Sequence, residues 1–167
     1  MKRLNFFLKI FAVMFFLLNA GVYGEGKIIY GNNTLLNREM KLDINRATQE
    51  EMLRNGISAG YVAKISEYRE ITGGFSELSE MKRIKGIGEA TYQKLSKKFK
   101  VEGEFLPKRY NINKSDDKAL GYLGYSKEEI KNIRKHIAQE GKIQNNIQLM
   151  KLISKKKYEK QRDFIDY

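Results

Sequence analysis

The chain has no cysteine, one proline and one histidine among its 167 residues. Lacking cysteine, it can build neither a disulfide framework nor a lipid attachment at a thiol, and nucleophilic cysteine chemistry is excluded. His136 has no cysteine partners with which to form a zinc set. No spacing of Asp and Glu suggests paired metal ligands or an acid and base pair, so the chain reads as a non-enzyme with no metal and no cofactor. Few stretches alternate with period two, and no sheet is expected. Long apolar runs are scarce as well: the one candidate, Phe6 to Leu18, is broken by Lys9 and preceded by Lys2 and Arg3. That run is short of the roughly 20 residues a membrane span needs, and its basic flank followed by small residues is the pattern of a secretory signal peptide. Cleavage is expected after Gly24, which gives an exported protein of the periplasm or cell surface; an uncleaved anchor is the alternative.

What remains is basic. Removing 24 residues leaves 143, and losing Lys2, Arg3 and Lys9 with them lowers the net charge from +12 by three to +9. An excess of this size suits an anionic partner, nucleic acid or a membrane surface. Residues 25–40 show no clear period and read as a tether. After them the chain repeats itself. Asp43-Ile44-Asn45 is answered by Asn111-Ile112-Asn113, Gly56 by Gly124, Ser58 by Ser126, Ile65 by Ile133 and Gly73 by Gly141, each at an interval of 68 residues. Register kept over so many positions implies two copies of one supersecondary unit, residues 41–103 and 109–167, joined by a linker at 104–108 that holds Pro107.

Within each unit the local signals are helical. Thr48-Gln49-Glu50-Glu51 and Ser126-Lys127-Glu128-Glu129 are capping boxes, so helices start there. Tyr61, Val62, Ile65 and Tyr68 recur at spacings of three and four, as do Ile130, Ile133 and Ile137. Gly73-Gly74 ends the second helix. A short third helix is expected from about Ser76 to Ile84, and a fourth from about Glu89 to Phe99 with Tyr92, Leu95 and Phe99 inward.

The glycine turn Ile84-Lys85-Gly86-Ile87-Gly88 carries the function. A residue without a side chain lets a duplex backbone approach the peptide N–H groups, and the helix that starts next presents unpaired N–H groups and a positive dipole end to an anion. Such contacts give affinity and position without reading bases. The order of elements across Leu42 to Val101 resembles the helix-hairpin-helix domain of the ComEA competence proteins. The matching elements are Leu42-Asp43-Ile44-Asn45-Arg46-Ala47-Thr48, a first hairpin at Gly56-Ile57, the Tyr68-Arg69-Glu70 helix end, the Gly73-Gly74-Phe75 turn and the second hairpin at Gly86-Ile87-Gly88. The resemblance implies an all-α fold of two tandem helix-hairpin-helix units, of SAM-like type. It also implies non-specific binding of double-stranded DNA in the envelope, where the protein would act as a receptor for DNA uptake in natural transformation beside uptake-channel or pilus components. The sequence departs from the pattern at Ser58, where a second glycine is expected, and in the second unit, whose third hairpin keeps only Gly124 and whose fourth, around Ser154-Lys155-Lys156-Lys157, keeps neither glycine.

The DNA-contacting set is therefore placed at Gly56, Ile57 and Ser58, at Lys85, Gly86, Ile87 and Gly88, at Lys94, Lys97 and Lys98, and at Lys155, Lys156 and Lys157. Charge divides unevenly between the units: residues 41–103 carry 12 basic and 9 acidic side chains, residues 104–167 carry 15 and 9. The clearer motif thus lies in the less basic half. A binding module of another class, an envelope protein whose repeats bind another protein, is the second reading.

Overall fold

Thr48 opens the first helix as its sequence context dictates. Its hydroxyl accepts from the Glu51 N–H at 3.2 Å while the Glu51 carboxylate accepts from the Thr48 N–H at 2.8 Å, which satisfies two orphan donors at once. The structure, a computed structural model, describes residues 41–167. The signal peptide expected over 1–24 and the tether over 25–40 lie outside the described residues. Strand β1 (Leu42–Asp43) leads into α1 (Gln49–Arg54) and α2 (Ala59–Thr72), followed by a 3-10 helix (Leu78–Arg83), α3 (Glu89–Ser96) and β2 (Phe99–Lys100). The plan then recurs: β3 (Tyr110–Asn111), α4 (Asp117–Tyr122), α5 (Lys127–Glu140), α6 (Asn146–Met150), α7 (Lys155–Gln161), a 3-10 turn (Arg162–Phe164) and β4 (Ile165–Asp166). Among the described residues no helix is long and apolar enough to cross a membrane.

The repeat is physical as well as textual. Asn45 clamps the backbone of Phe75, donating to its carbonyl at 2.9 Å and accepting its N–H at 2.7 Å. Asn113 makes the same two bonds to Ile143, both at 2.9 Å, at the same 68-residue interval. Each clamp holds the turn after the long helix against the first residues of its unit. Two cores form around these clamps. One gathers Ile44, Met52, Ile65, Tyr68, Phe75, Met81, Ile84 and Phe99, and the other gathers Ile112, Leu120, Ile133, Ile143 and Leu149, all buried.

Three expectations need correcting. Short strands do exist: β1 pairs in parallel with β2, and β3 with β4, so that each unit is closed where its first and last segments meet. A strand of two residues is too short to show period-two alternation, which is why the pattern missed it. The third helix of the first unit is 3-10 and shorter than Ser76 to Ile84. Buried Glu80 reaches back to the Ser76 N–H at 3.0 Å and to its hydroxyl at 2.8 Å, so the polar start of that segment is a side-chain-capped turn instead of an α-helical one. The fourth helix stops at Ser96, and Phe99 is buried as part of β2.

The linker is not a loose tether. Gly73, at φ +92°, ends α2 in the left-handed conformation, and the Lys108 N–H bonds to the Thr72 carbonyl at 2.9 Å. A Cβ on Gly73 would stand 2.8 Å from the Leu106 carbonyl oxygen and 2.9 Å from the Lys108 nitrogen, so only glycine admits this return of the chain. The second unit then packs on the first through α4. Tyr122 is buried in the first unit's core with its ring 5.1 Å from that of Tyr68, and Lys118 forms an ion pair with Glu67 on α2.

Candidate nucleic-acid interface

Two hairpins of the first unit point helix N-termini at solvent. In the first, Gly56 and Ser58 are exposed while Ile57 between them is buried and anchors the turn. Ser58 is the N-cap of α2, yet its hydroxyl makes no capping bond, in contrast to the side chains of Thr48, Asp116, Ser126, Asn145 and Ser154 at other helix starts. The Tyr61 and Val62 N–H groups both bond back to the Ser58 carbonyl, at 2.9 and 3.0 Å. Among the described residues the N–H groups of Ala59 and Gly60 have no acceptor, as expected for the first turn of a helix. Ser58 thus fits where a second glycine was expected, with an extended backbone and a free hydroxyl beside two free N–H groups.

The second hairpin repeats the arrangement. Lys85, Gly86 and Gly88 are exposed and Ile87 is buried. Gly86 sits at φ +93°, a conformation that side chains resist, whereas Gly88 has φ −80° and open space where a Cβ would stand. The glycine at 86 is required by the turn. The one at 88 is not, and what its bareness provides is room above the first N–H groups of α3. Glu89 opens that helix, where its charge competes with an incoming anion. Hydrogen bonds from Gln93 at 2.7 Å and Lys82 at 3.2 Å hold its carboxyl below the usual range, and Lys82 offsets its charge.

The hairpins are cross-braced by lysines. Lys98, beyond the end of α3, donates to the Asn55 carbonyl of the first hairpin at 2.6 Å, and Lys64 on α2 donates to the Lys85 carbonyl of the second at 2.9 Å. Each hairpin therefore receives an ammonium from the chain segment that follows the other one. Lys98 was among the expected residues. Lys64 was not, because at its place in α2 it reads as an ordinary solvent-facing position. Lys94 and Lys97 are exposed and form no ion pair among the described residues.

The second unit differs. At its third hairpin, a Cβ on Gly124 would lie 2.9 Å from the Lys157 ammonium and 3.1 Å from the Arg83 guanidinium carbon, so side chains from α7 and from the first unit cover this turn. At the fourth, Ser154 holds the N-cap position of α7, as Gly88 does for α3, and its hydroxyl accepts from the Lys157 N–H. The equivalent of the Gly86-Ile87-Gly88 turn is therefore Leu152-Ile153-Ser154, a two-residue slip from the 68-residue register. No residue other than glycine has positive φ among the described residues, so this turn has a different backbone. Glu129 ties the two hairpins of the unit, accepting from the Ser126 N–H at 2.9 Å and the Ser154 N–H at 3.0 Å. Its burial works against ionisation, but these bonds prevail and hold the carboxyl below its usual range.

Lys155 and Lys156 are exposed. Lys157 is half-buried, and burial first and the neighbouring Arg83 second push its ammonium below the ordinary lysine range. A row that sequence reasoning missed lies on α5: Lys127, Lys131 and Lys135, all exposed, fall at four-residue intervals on one face, with Arg134 beside them paired to Asp117 at 2.6 Å. The four-residue spacing of these lysines is itself the sequence signal of a shared helix face.

Comparison with known proteins agrees with the first unit. Residues 38–100 match the family model described as the helix-hairpin-helix motif. Residues of the chain are 38% identical over 58 positions to "Endonuclease/exonuclease/phosphatase family domain-containing protein 1" of Danio rerio and to the human protein of the same name, in each case 34% of this chain and 10% of the relative. The Xenopus laevis protein of that name is 26% identical over 145 positions, 74% of this chain and 26% of the relative. The chain thus spans between a tenth and about a quarter of the length of these relatives. No solved structure matches. The helix-hairpin-helix motif is consistent with nucleic-acid binding.

Proposed function

We propose that the protein binds double-stranded DNA through its phosphate backbone, without sequence preference and without catalysis, using the paired hairpins of the first unit. One observation carries this reading. Two helix N-termini with unbonded N–H groups, one beside the free Ser58 hydroxyl and one beneath the bare Gly88, lie on hairpins cross-braced by Lys64 and Lys98. The second unit contributes exposed lysines, Lys127, Lys131, Lys135, Lys155 and Lys156, to the long-range field. Its covered third hairpin makes no close approach of its own.

The setting we propose is the cell envelope. After export and cleavage near Glu25 the protein would act as a DNA receptor of the ComEA kind, passing DNA toward an uptake channel or pilus. The leader pattern and the order of motif elements support this, and an intact mass corresponding to a chain starting near Glu25 in the host's envelope is the expected result.

Fluorescence anisotropy of labelled duplexes tests the binding itself. Duplexes of unrelated sequence are expected to bind with equal affinity, and with about 4 phosphates neutralised the affinity falls roughly 10²-fold between 50 and 200 mM salt. No binding at low salt, or an affinity indifferent to salt, refutes the reading. It would favour a protein partner, for which exposed Ile147 and Met150, three residues apart on α6, supply an apolar surface.

A further inference from the structure

Between the two units lies a cavity of about 160 Å³. Its walls come from the end of α2, the 3-10 helix of the first unit, the linker, β3, the end of α4 and α7. Phe105, Pro107, Tyr110 and Phe164 give the cleft an aromatic and apolar part of its lining. Arg83, Lys157 and Lys160 line it as well, with a single carboxylate, Glu80. That carboxylate is already engaged, by Arg83 at 3.0 Å and by the Ser76 hydroxyl at 2.8 Å, and the lining sets three cations against it. Neither lysine donates its ammonium to any acceptor among the described residues. The Lys157 Nζ and the Arg83 Cζ both lie within 3.1 Å of the point where a Gly124 Cβ would be, hence within about 6 Å of each other.

Half-burying a cation beside another cation costs free energy unless an anion is supplied. Lys157 turns inward over the Tyr125 ring, 5.6 Å from its centroid, while Lys155 and Lys156 beside it on α7 are in solvent. Lys157 and Lys160 are three residues apart and so share a helix face, which gives two ammonium groups directed at one place. The volume holds one six-membered ring, since a cavity of about 150 Å³ takes up benzene, with the charged end of the ligand left at the rim. We propose that this cleft binds a small phosphomonoester that carries a single flat ring, the class to which pyrimidine nucleoside monophosphates belong. The ring packs between Phe105, Pro107 and Phe164, and the phosphate lies across Lys157, Lys160 and Arg83. This site is separate from the first unit's two hairpins and does not rest on their binding DNA.

Thermal unfolding of the full chain, with isothermal titration alongside, tests the proposal with three probes: thymidine 5′-monophosphate, thymidine and inorganic phosphate. The monophosphate is expected to raise Tm with concentration, and the two fragments to do so far less at equal concentration. Lys157→Gln removes one of the three cations, and its affinity for the monophosphate is expected to fall about tenfold or more. Gly88→Val, at the DNA-facing hairpin, is expected to keep the full response. No response in the wild type, an equal response in Lys157→Gln, or inorganic phosphate as effective as the nucleotide would each overturn the proposal.

Discussion

Replacing Gly88 by valine separates a DNA contact from a packing turn, because the structure leaves this position open. Its φ is −80° and nothing lies within 4 Å of the place a Cβ would take. The cost to folding is that of a poor N-cap residue, at most about 1 kcal/mol. The cost to binding is larger. Isopropyl carbons over the first turn of α3 hold a phosphate away from its N–H groups, and losing one or more hydrogen bonds to a charged group costs about 1.5–3 kcal/mol. At 1.4 kcal/mol per decade the affinity should fall roughly ten- to a hundredfold. Gly86 cannot serve the same purpose. It sits at φ +93° with its would-be Cβ 3.1 Å from the Lys64 ammonium, so valine there adds about 1–2 kcal/mol of backbone strain and disturbs a brace. The assay is anisotropy with a labelled 20-base-pair duplex at fixed low salt, run only once far-ultraviolet circular dichroism and Tm show the variant folded. The slope of log affinity against log salt should change little, since the lysines remain. A folded Gly88→Val protein that binds like the wild type would mean that the second hairpin touches no phosphate, and the reasoning would fail.

Other positions answer to the same physics. Lys64→Gln should reduce the magnitude of the salt slope by about 0.9 if its ammonium neutralises one phosphate at the second hairpin, and an unchanged slope would confine Lys64 to bracing the Lys85 carbonyl. Gly73→Ala should destabilise by about 2 kcal/mol or more in urea unfolding, because left-handed strain of about 1–2 kcal/mol adds to a Cβ placed 2.8 Å from the Leu106 carbonyl; a loss under 1 kcal/mol would show that the linker yields freely. Glu129 has its carboxyl pKa lowered in the fold, so the stability it contributes is present above the pKa of an unfolded glutamate and is lost as pH falls through the folded value. Glu129→Gln should accordingly flatten the acid side of the stability profile between about pH 5 and 3, and a parallel profile in the variant would assign the acid sensitivity elsewhere.

Much of this architecture is written in local sequence. The capping boxes at Thr48 and Ser126 and the left-handed helix end at Gly73 depend on residues within a turn of each other. Short-range hydrogen bonding and backbone sterics decide them before any tertiary contact exists. The 68-residue repeat was legible for the same reason, and the two asparagine clamps show that it carries matching bonds.

Tertiary structure alone decided which of those features face a ligand. The braces from Lys98 to Asn55 and from Lys64 to Lys85 span 43 and 21 residues, and no periodicity announces them. Gly124 looks as available as Gly56 in the sequence, yet Arg83 from the other unit and Lys157 cover it once α4 docks on α2. The two-residue slip that gives Ser154 the place of Gly88 arises because the six-residue 3-10 helix of the first unit is replaced by the five-residue α6 and the turn after it is one residue shorter, and spacing by itself cannot show that exchange. A helix start is encoded by its own few residues, whereas exposure of that start depends on where a long-range partner comes to rest, and packing settles that for the chain as a whole.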